Sequence, residues 1–138
     1  MIARWSLIAG LLASTLATAE TLEGQVTHVR DGDTIEVTGV PVRLRGVNCE
    51  EWDKPRGRQA TERMVQLTRG KGAVCTLNGE RNGDCVIGWC SVDGIDLGDT
   101  LIRERICARC NRYDPERRYV DAQAAAGSWR GRVPGYCK

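Results

Sequence analysis

The sequence predicts a small, mainly β protein of the α+β class, in which five strands form a barrel with about three helices around it. Three observations lead to this prediction. Short apolar runs are bounded by glycine and aspartate turn signals. Three such runs precede a helical pattern, and two more follow it. Two further helical patterns come after the last strand, and this order matches a small barrel of the OB type.

Three strands are predicted before the first helix. They are residues 23–29, 34–38 and 42–47. In the first strand, polar and apolar residues alternate with the period of two that is typical of a half-buried strand. In the third strand, Val42 and Leu44 point inward, whereas Arg43 and Arg45 lie on the opposite face. Gly46 near its end indicates a bulge.

The remaining elements alternate between helix and strand. Pro55 suits the first turn of a helix with a loose apolar stripe, and Gly70 ends that helix. Two strands follow, separated by a polar loop at 78–84, and two amphipathic helices complete the chain. The predicted helices are 55–69, 97–107 and 116–129, and the predicted strands are 73–77 and 85–92.

The first residues have the features of a secretory signal peptide. Arg4 provides a positive start, residues 7–16 are mostly apolar, and Ala17-Thr18-Ala19 is an A-x-A cleavage site. The apolar run is short for a membrane span. We therefore expect residues 1–19 to be removed and residues 20–138 to form one domain. A buried N-terminal helix or an uncleaved anchor is the alternative.

The charge balance excludes a strongly basic nucleic-acid-binding protein. The formal net charge at pH 7 is +2, with 20 basic and 18 acidic side chains. This balance gives no electrostatic footprint for tight binding to a phosphate backbone. Basic residues do cluster within 103–118 and at Arg130 and Arg132, which a solvated helical face explains equally well.

Seven cysteines indicate an exported protein stabilised by disulfides. Cys75 and Cys90 lie in two predicted strands on either side of a turn-rich segment, which favours a cross-strand bridge. Cys107 or Cys110 is expected to tether the tail through Cys137.

Two cysteines, Cys49 and Cys85, remain without an assigned partner, and the odd count leaves at least one thiol unpaired or shared between chains. Cys107 and Cys110 also form a C-x-x-C, which is half of a zinc site. No second C-x-x-C exists and His28 is the only histidine in the sequence, so zinc is the weaker interpretation.

The motif richest in chemistry is the turn between the first two strands, where Asp31 and Asp33 flank Gly32. A plain hairpin explains Asp-Gly alone, whereas a second carboxylate adds the hard oxygens that suit calcium. The third strand adds Arg43 and leads into an oxygen-rich segment at 48–51. Two acidic corners and an arginine on one barrel face predict phosphodiester hydrolysis. The metal and the arginine would neutralise the phosphate, and a carboxylate would activate water.

These motifs resemble the staphylococcal nuclease (thermonuclease) family. The matching run is DGDTIEVTGVPVRLRGVNCEEWD, followed by Gly57 and Ala60 and then by VDGIDLGDTLIRE at 92–104. The resemblance extends from about Leu22 to Trp129. It implies a five-stranded OB barrel with helices that uses calcium to cleave DNA and RNA.

The resemblance also implies roles for individual residues. Asp33 would be the first metal carboxylate, and Asp31 would act beside it through water. Asn48 falls where the family has a second metal aspartate, and Cys49 falls where a backbone carbonyl ligates. Glu51 falls on the family's general base, or on the glutamate that orders the attacking water.

The arginines match the family only in part. Arg43 takes the position of the catalytic, phosphate-binding arginine, and Arg45 and Arg81 are further candidates for nucleic-acid binding. The family has a second arginine that steadies the transition state. Its position falls on Cys85, or on Asp84 if the loop is shifted by one. Loss of such a charge typically costs about a hundred- to a thousandfold in rate.

Two more departures affect the expected metal site. Asn48 keeps an oxygen ligand but lacks a charge, which should weaken calcium binding. Glu50 replaces the proline that is usual in this corner, and we regard it as a candidate substitute carboxylate.

We therefore expect an exported, calcium-dependent nuclease, periplasmic or secreted, that is slow because an arginine is missing. Single-stranded DNA or RNA is the expected substrate. After signal cleavage we expect a monomer that does not associate with membranes. The alternative is a catalytically impaired barrel that binds nucleic acid or oligosaccharide, or that has a structural role.

Overall fold

A computed structural model describes residue 14 and residues 19–138. The predicted signal peptide therefore lies almost entirely outside the described residues. No helix in the described part of the chain is long and apolar enough to cross a membrane.

The described chain begins with strands and ends with short helices. The strands are β1 (Glu20–Asp31), β2 (Thr34–Val37), β3 (Val40–Leu44), β4 (Val47–Asn48), β5 (Gly72–Asn82), β6 (Cys85–Val92), β7 (Ile95–Asp96) and β8 (Ala108–Arg109). The α-helices are α1 (Pro55–Thr68), α2 (Leu97–Arg103) and α3 (Val120–Ala126), and single 3₁₀ turns occupy Asn111–Tyr113 and Gly135–Cys137.

Five of the strands close into a barrel. β1 pairs with β2 and with β5, β2 pairs with β3, and β5 pairs with β6, all antiparallel. A parallel pairing of β3 with β6 closes the ring. The short strands β4 and β8 form a separate two-stranded ladder beside it. The fold class, a barrel of the OB type with three helices, is confirmed.

The core follows from the alternation of side chains along the barrel strands. Val42 of β3 is fully buried and Leu44 is 2% exposed, as the sequence predicts, and Ile35 of β2 is fully buried beside them. Ala60 and Met64 bring one face of α1 against this core and are also fully buried. The apolar stripe of the helix thus packs against the barrel core.

The structure corrects the boundaries of four elements. The predicted loop at 78–84 is wrong, because β5 continues to Asn82 and pairs with β6 after a bulge. The predicted third strand ends early, since Gly46 adopts a φ of 75° and separates β3 from β4. The predicted helices at 97–107 and 116–129 are too long. Arg105 and Arg117 adopt positive φ values of 61° and 60°, which an α-helix cannot accommodate.

Three disulfides join the described cysteines: Cys49–Cys107, Cys75–Cys90 and Cys110–Cys137. The cross-strand bridge and the tether of the tail are as predicted, whereas the partner of Cys49 was not foreseen. Cys85 is the free cysteine. Because Cys107 and Cys110 have different partners, they do not share a zinc ion.

Candidate nuclease site

The turn between β1 and β2 is packed tightly against the helix beside it. A Cβ on Gly32 would lie 2.5 Å from the Cβ of Ala60 and 3.0 Å from the sulfur of Cys49, so only glycine fits there. The backbone N–H of Asp33 donates to Asp31 Oδ1 at 3.1 Å. Helix α1 and the Cys49–Cys107 disulfide therefore hold both carboxylates in place.

Asp33 is the most enclosed acidic group of this corner. It is 6% exposed, and its Oδ2 lies 2.8 Å from Arg43 Nη1 and accepts the Cys49 N–H at 3.2 Å. Burial, together with the adjacent Asp31, raises the pKa of Asp33 to about 7 despite the opposing effect of Arg43. A second cation bound here, in addition to Arg43, would reduce the repulsion between the carboxylates of Asp31 and Asp33.

Arg43 is positioned by the backbone at the end of the third barrel strand. Its Nη1 donates to the carbonyl of Val47 at 3.2 Å as well as contacting Asp33. The β3 register places Arg43 opposite Thr34, the residue that follows the acidic turn. This pairing brings the arginine to the carboxylates, as the sequence motif predicts.

Glu51 reaches the same region through close packing on α1. A Cβ on Gly57 would lie 1.7 Å from the carbonyl oxygen of Glu51, so this helix position must be glycine. The Glu51 carbonyl also accepts the Lys54 N–H at 2.9 Å. The Glu51 side chain is exposed, and its carboxylate makes no hydrogen bond or salt bridge to any described residue.

These side chains share one cavity of about 660 Å³, a volume within the range of small-ligand sites. Asp31, Asp33, Arg43 and Glu51 all line it. The cavity thus unites four of the residues that the sequence nominated for catalysis or metal binding.

Asn48, in contrast, does not line this cavity. It is 3% exposed, and its side-chain amide lies 3.5 Å from the carbonyl oxygen of Arg132. Glu50 does line the cavity, but its Oε1 accepts the Arg132 N–H at 3.2 Å and lies 3.8 Å from Arg56 Nη1. Both residues are engaged by neighbouring chain segments. Among the described residues, no group of three or more histidine, cysteine, aspartate or glutamate side chains is arranged to hold a metal ion.

The two arginines predicted to bind nucleic acid differ in their availability. Arg45 lies at the cavity but forms salt bridges with Glu80 at 2.8 Å and with Glu116 at 3.2 Å. Arg81 lines the cavity, is exposed, and has no salt bridge to any residue of the described chain. Of the two arginines, Arg81 is therefore the one more available to bind nucleic acid.

The β5–β6 turn holds no arginine at the position where the resemblance requires one. Cys85 stands there instead, and a thiol has no positively charged form. Burial, with a smaller effect of Asp84, raises the pKa of the Cys85 thiol and so favours its neutral form. Asp84 forms a two-pronged salt bridge with Arg30, with Nη–Oδ distances of 3.0 and 2.8 Å. The turn is thus docked onto β1 through Arg30.

Two tyrosines of the cavity were missed by sequence reasoning. Tyr113 and Tyr136 line it, and their ring centroids are 6.4 Å apart. A signal existed for Tyr136, because it directly precedes Cys137, the cysteine predicted to tether the tail.

Comparison with known proteins finds nuclease-like relatives. The chain is 28% identical over 106 residues to a probable staphylococcal-like nuclease of Oryza sativa subsp. japonica, covering 75% of this chain and 31% of that protein. It is 31% identical over 87 residues to an uncharacterized endonuclease of Escherichia coli O157:H7, covering 59% of this chain and 57% of that protein. The chain thus spans about a third to just over half of the relatives that it matches. No protein-family model matches it.

Proposed function

We propose that this chain hydrolyses phosphodiester bonds in nucleic acid. Its nuclease-like relatives and its barrel fold support membership of a staphylococcal-nuclease-like family. The observation that carries the proposal is the contact of Asp33 with Arg43, 2.8 Å apart, in a cavity that also contains Glu51. A carboxylate corner, a phosphate-binding cation and a free carboxylate are the groups that metal-assisted phosphodiester hydrolysis requires.

Arg43 is assigned to the scissile phosphate. Its guanidinium is anchored on one side by Asp33 and by the Val47 carbonyl, so it is held in one orientation before substrate arrives. A preorganised cation stabilises the charge that develops in the transition state without having to be reoriented during the reaction.

Glu51 is assigned to the attacking water. Its carboxylate is exposed and free of partners within the described chain, so it is able to accept a proton from a water molecule in the cavity. The packing of Gly57 against the Glu51 backbone fixes the backbone position from which the Glu51 side chain extends.

Calcium is proposed as the cofactor, with Asp31 and Asp33 as its protein ligands. The fit rests on two neighbouring carboxylates, one of them buried with a raised pKa. The remaining oxygens would come from backbone carbonyls and water, because Asn48 is turned toward Arg132. A bound calcium ion would add positive charge at the phosphate. We expect weak calcium binding, since only two carboxylates contribute charge.

Arg81 is proposed to compensate in part for the missing family arginine. It is the exposed cation at this cavity that lacks a salt bridge among the described residues, whereas Arg45 is held by two glutamates. Arg81 pairs with Val86 across β5 and β6, one residue from Cys85, and this proximity to the position of the missing arginine supports the proposal.

Export is part of the proposal. Three disulfides in so small a domain suggest an oxidising compartment, which the periplasm or the extracellular medium provides. The substrate class is proposed to be single-stranded DNA or RNA.

A second candidate is a barrel that binds nucleic acid or oligosaccharide without useful catalysis. Two observations favour it, namely the uncharged Cys85 at the expected arginine position and the engagement of Asn48 away from the cavity. It differs from the first candidate in one measurable respect, because it predicts binding without turnover.

The deciding experiment is hydrolysis of single-stranded DNA and RNA by the oxidised protein, with calcium and with a chelator. We expect calcium-dependent cleavage that Glu51→Gln lowers by at least about a hundredfold. Glu62→Gln is the matched control, since Glu62 is an exposed residue of α1 outside the cavity. If the parent protein, folded and with calcium in excess, cleaves no faster than the Glu51→Gln variant, the nuclease proposal is excluded and the binding module remains.

A further inference from the structure

The C-terminal segment, defined as residues 129–138, returns to the candidate nuclease site. Cys137 is bonded to Cys110, and Tyr136 beside this disulfide lines the cavity. The segment also passes residues 48–50, where Arg132 contacts Asn48 and Glu50. Through Tyr136, the C-terminal segment therefore contributes one side chain to the lining of the cavity.

Two side chains hold the backbone of Arg132 at both of its polar groups. Its N–H donates to Glu50 Oε1 at 3.2 Å, and its carbonyl accepts from Asn48 Nδ2 at 3.5 Å. The neighbouring Gly131 has no room for a side chain, because a Cβ would lie 2.4 Å from the Trp129 ring and 2.5 Å from Glu50 Oε1. Paired hydrogen bonds and close packing give this segment a defined path.

That path brings Tyr136 beside Tyr113, the last residue of the 3₁₀ turn Asn111–Tyr113. Tyr113 is 43% exposed and Tyr136 is 49% exposed, whereas Tyr119 is buried in the core. The two exposed rings meet edge to face at 61°. Aromatic faces beside cations are the composition of single-strand-binding sites, in which cations contact the phosphates and rings stack on the bases. Arg43 and Arg81 supply the cations in the same cavity.

We propose that Tyr136, supported by Tyr113, stacks on an unpaired nucleobase of the strand whose phosphate lies at Arg43. This inference rests on the proposed function and adds the element that selects the substrate. Bases in a duplex are already stacked on their neighbours, so this site favours single strands, loops and ends. Asn48, Glu50 and the Cys110–Cys137 disulfide act as positioning groups for Tyr136.

The test measures binding by the oxidised full chain carrying Glu51→Gln, so that the probe is not consumed. One probe is a short, fluorescently labelled oligothymidylate, and the other is an abasic oligomer with the same number of phosphates. We expect the base-bearing probe to bind about five- to twentyfold more tightly, as stacking on one or two rings predicts. Tyr136→Ala should remove most of this preference, and Tyr136→Phe should retain it.

A second variant tests the positioning of the tyrosine. Replacement of both Cys110 and Cys137 by serine frees the C-terminal segment and should reproduce the effect of Tyr136→Ala on base preference. Thermal unfolding checks that the fold is kept, which we expect for Tyr136→Ala because the ring is half exposed.

The outcomes separate this inference from the nuclease proposal. An unchanged base preference in Tyr136→Ala overturns the inference, whatever the parent protein does to its substrate. A parent protein that cleaves nucleic acid but binds both probes equally also overturns the inference and leaves the nuclease intact. A base preference that depends on Tyr136, in a protein that cleaves nothing, supports the inference and overturns only the nuclease.

Discussion

The turn between β1 and β2 and the segment at 48–51 both carry oxygen-bearing side chains, and the fold uses the two differently. In the turn, Asp33 is held by Arg43 and by a backbone N–H, and it lines the cavity. In the segment at 48–51, Asn48 and Glu50 are hydrogen-bonded to the backbone of Arg132. Only Glu51 of that segment keeps a free carboxylate at the cavity.

The hydrogen-bonding partner of each side chain in these two regions therefore determines its role. An asparagine amide can donate to the carbonyl of Arg132, whereas an aspartate carboxylate can only accept and would repel it. Asn48 therefore lacks the negative charge of a metal-binding aspartate, but it supplies a hydrogen-bond donor that an aspartate would not. The same reasoning applies to Glu50, which accepts the Arg132 N–H.

The largest effect is expected when the turn loses its cation. Arg43→Ala should lower the rate of single-strand hydrolysis by about a hundred- to a thousandfold, since the phosphate loses a preorganised partner. It should also lower the free energy of unfolding by about 1–3 kcal/mol, because the buried Asp33 loses a bonding partner. Cleavage assays and urea unfolding measure the two effects.

Arg81→Ala is the control for that change, as an exposed arginine of the same cavity. We expect a smaller loss of rate and no loss of stability. Equal losses of rate in the two variants would contradict the special role of the Arg43–Asp33 contact.

The next effect concerns the titration of Asp33. Its folded pKa of about 7 lies above that of an unfolded aspartate, so the folded state binds the proton more tightly. The stabilisation of the folded protein that results from this tighter proton binding is fully present below about pH 4 and is lost as the pH rises through about 7. Between pH 5 and 8 the metal-free protein should lose about 2 kcal/mol more stability than Asp33→Asn, which cannot titrate. Urea unfolding in chelator at both pH values measures this difference, and parallel losses in the two proteins would refute it.

A smaller effect is expected at the helix that supports Glu51. Alanine is favoured over glycine in a helix by about 1 kcal/mol, but a Cβ at position 57 would collide with the Glu51 carbonyl. Gly57→Ala should therefore displace Glu51 and lower kcat by about tenfold or more, with little change in oligonucleotide affinity. Gln59→Ala, at an exposed position of the same helix, serves as the control. Normal turnover in Gly57→Ala would show that the packing does not position the glutamate.

The smallest effect tests the second corner directly. Asn48→Asp should weaken the contact with Arg132 and reduce single-strand affinity by about threefold to tenfold, since one hydrogen bond to the C-terminal segment is replaced by repulsion. A metal-ligand role for position 48 predicts the opposite result, namely tighter calcium binding and faster cleavage. Calcium titration and oligonucleotide binding on the same variant distinguish the two roles.

Local pattern was sufficient to predict much of the barrel. The alternation around Val42 and Leu44 and the position of Pro55 identified strand and helix correctly, because these signals depend on residues close together in the chain. The extension of β5 to Asn82 was missed, since a polar segment becomes a strand when β6 lies beside it. The early end of α2 depends on a positive φ at Arg105, and the late start of α3 depends on a positive φ at Arg117; no sequence pattern foretold either value.

The sequence by itself determined which groups are available at the site: two aspartates around a glycine, two arginines on the predicted third strand and a glutamate after it. The sequence also predicted that Arg43 lies on the same barrel face as the acidic turn, but the tertiary structure decided the individual contacts. It placed Asp33 against Arg43, turned Asn48 toward Arg132, bonded Cys49 to Cys107 and brought Tyr136 into the cavity. The physical reason is sequence separation. Contacts between residues tens of positions apart depend on how strands, helices and disulfides close in three dimensions, and a local pattern contains no record of that closure.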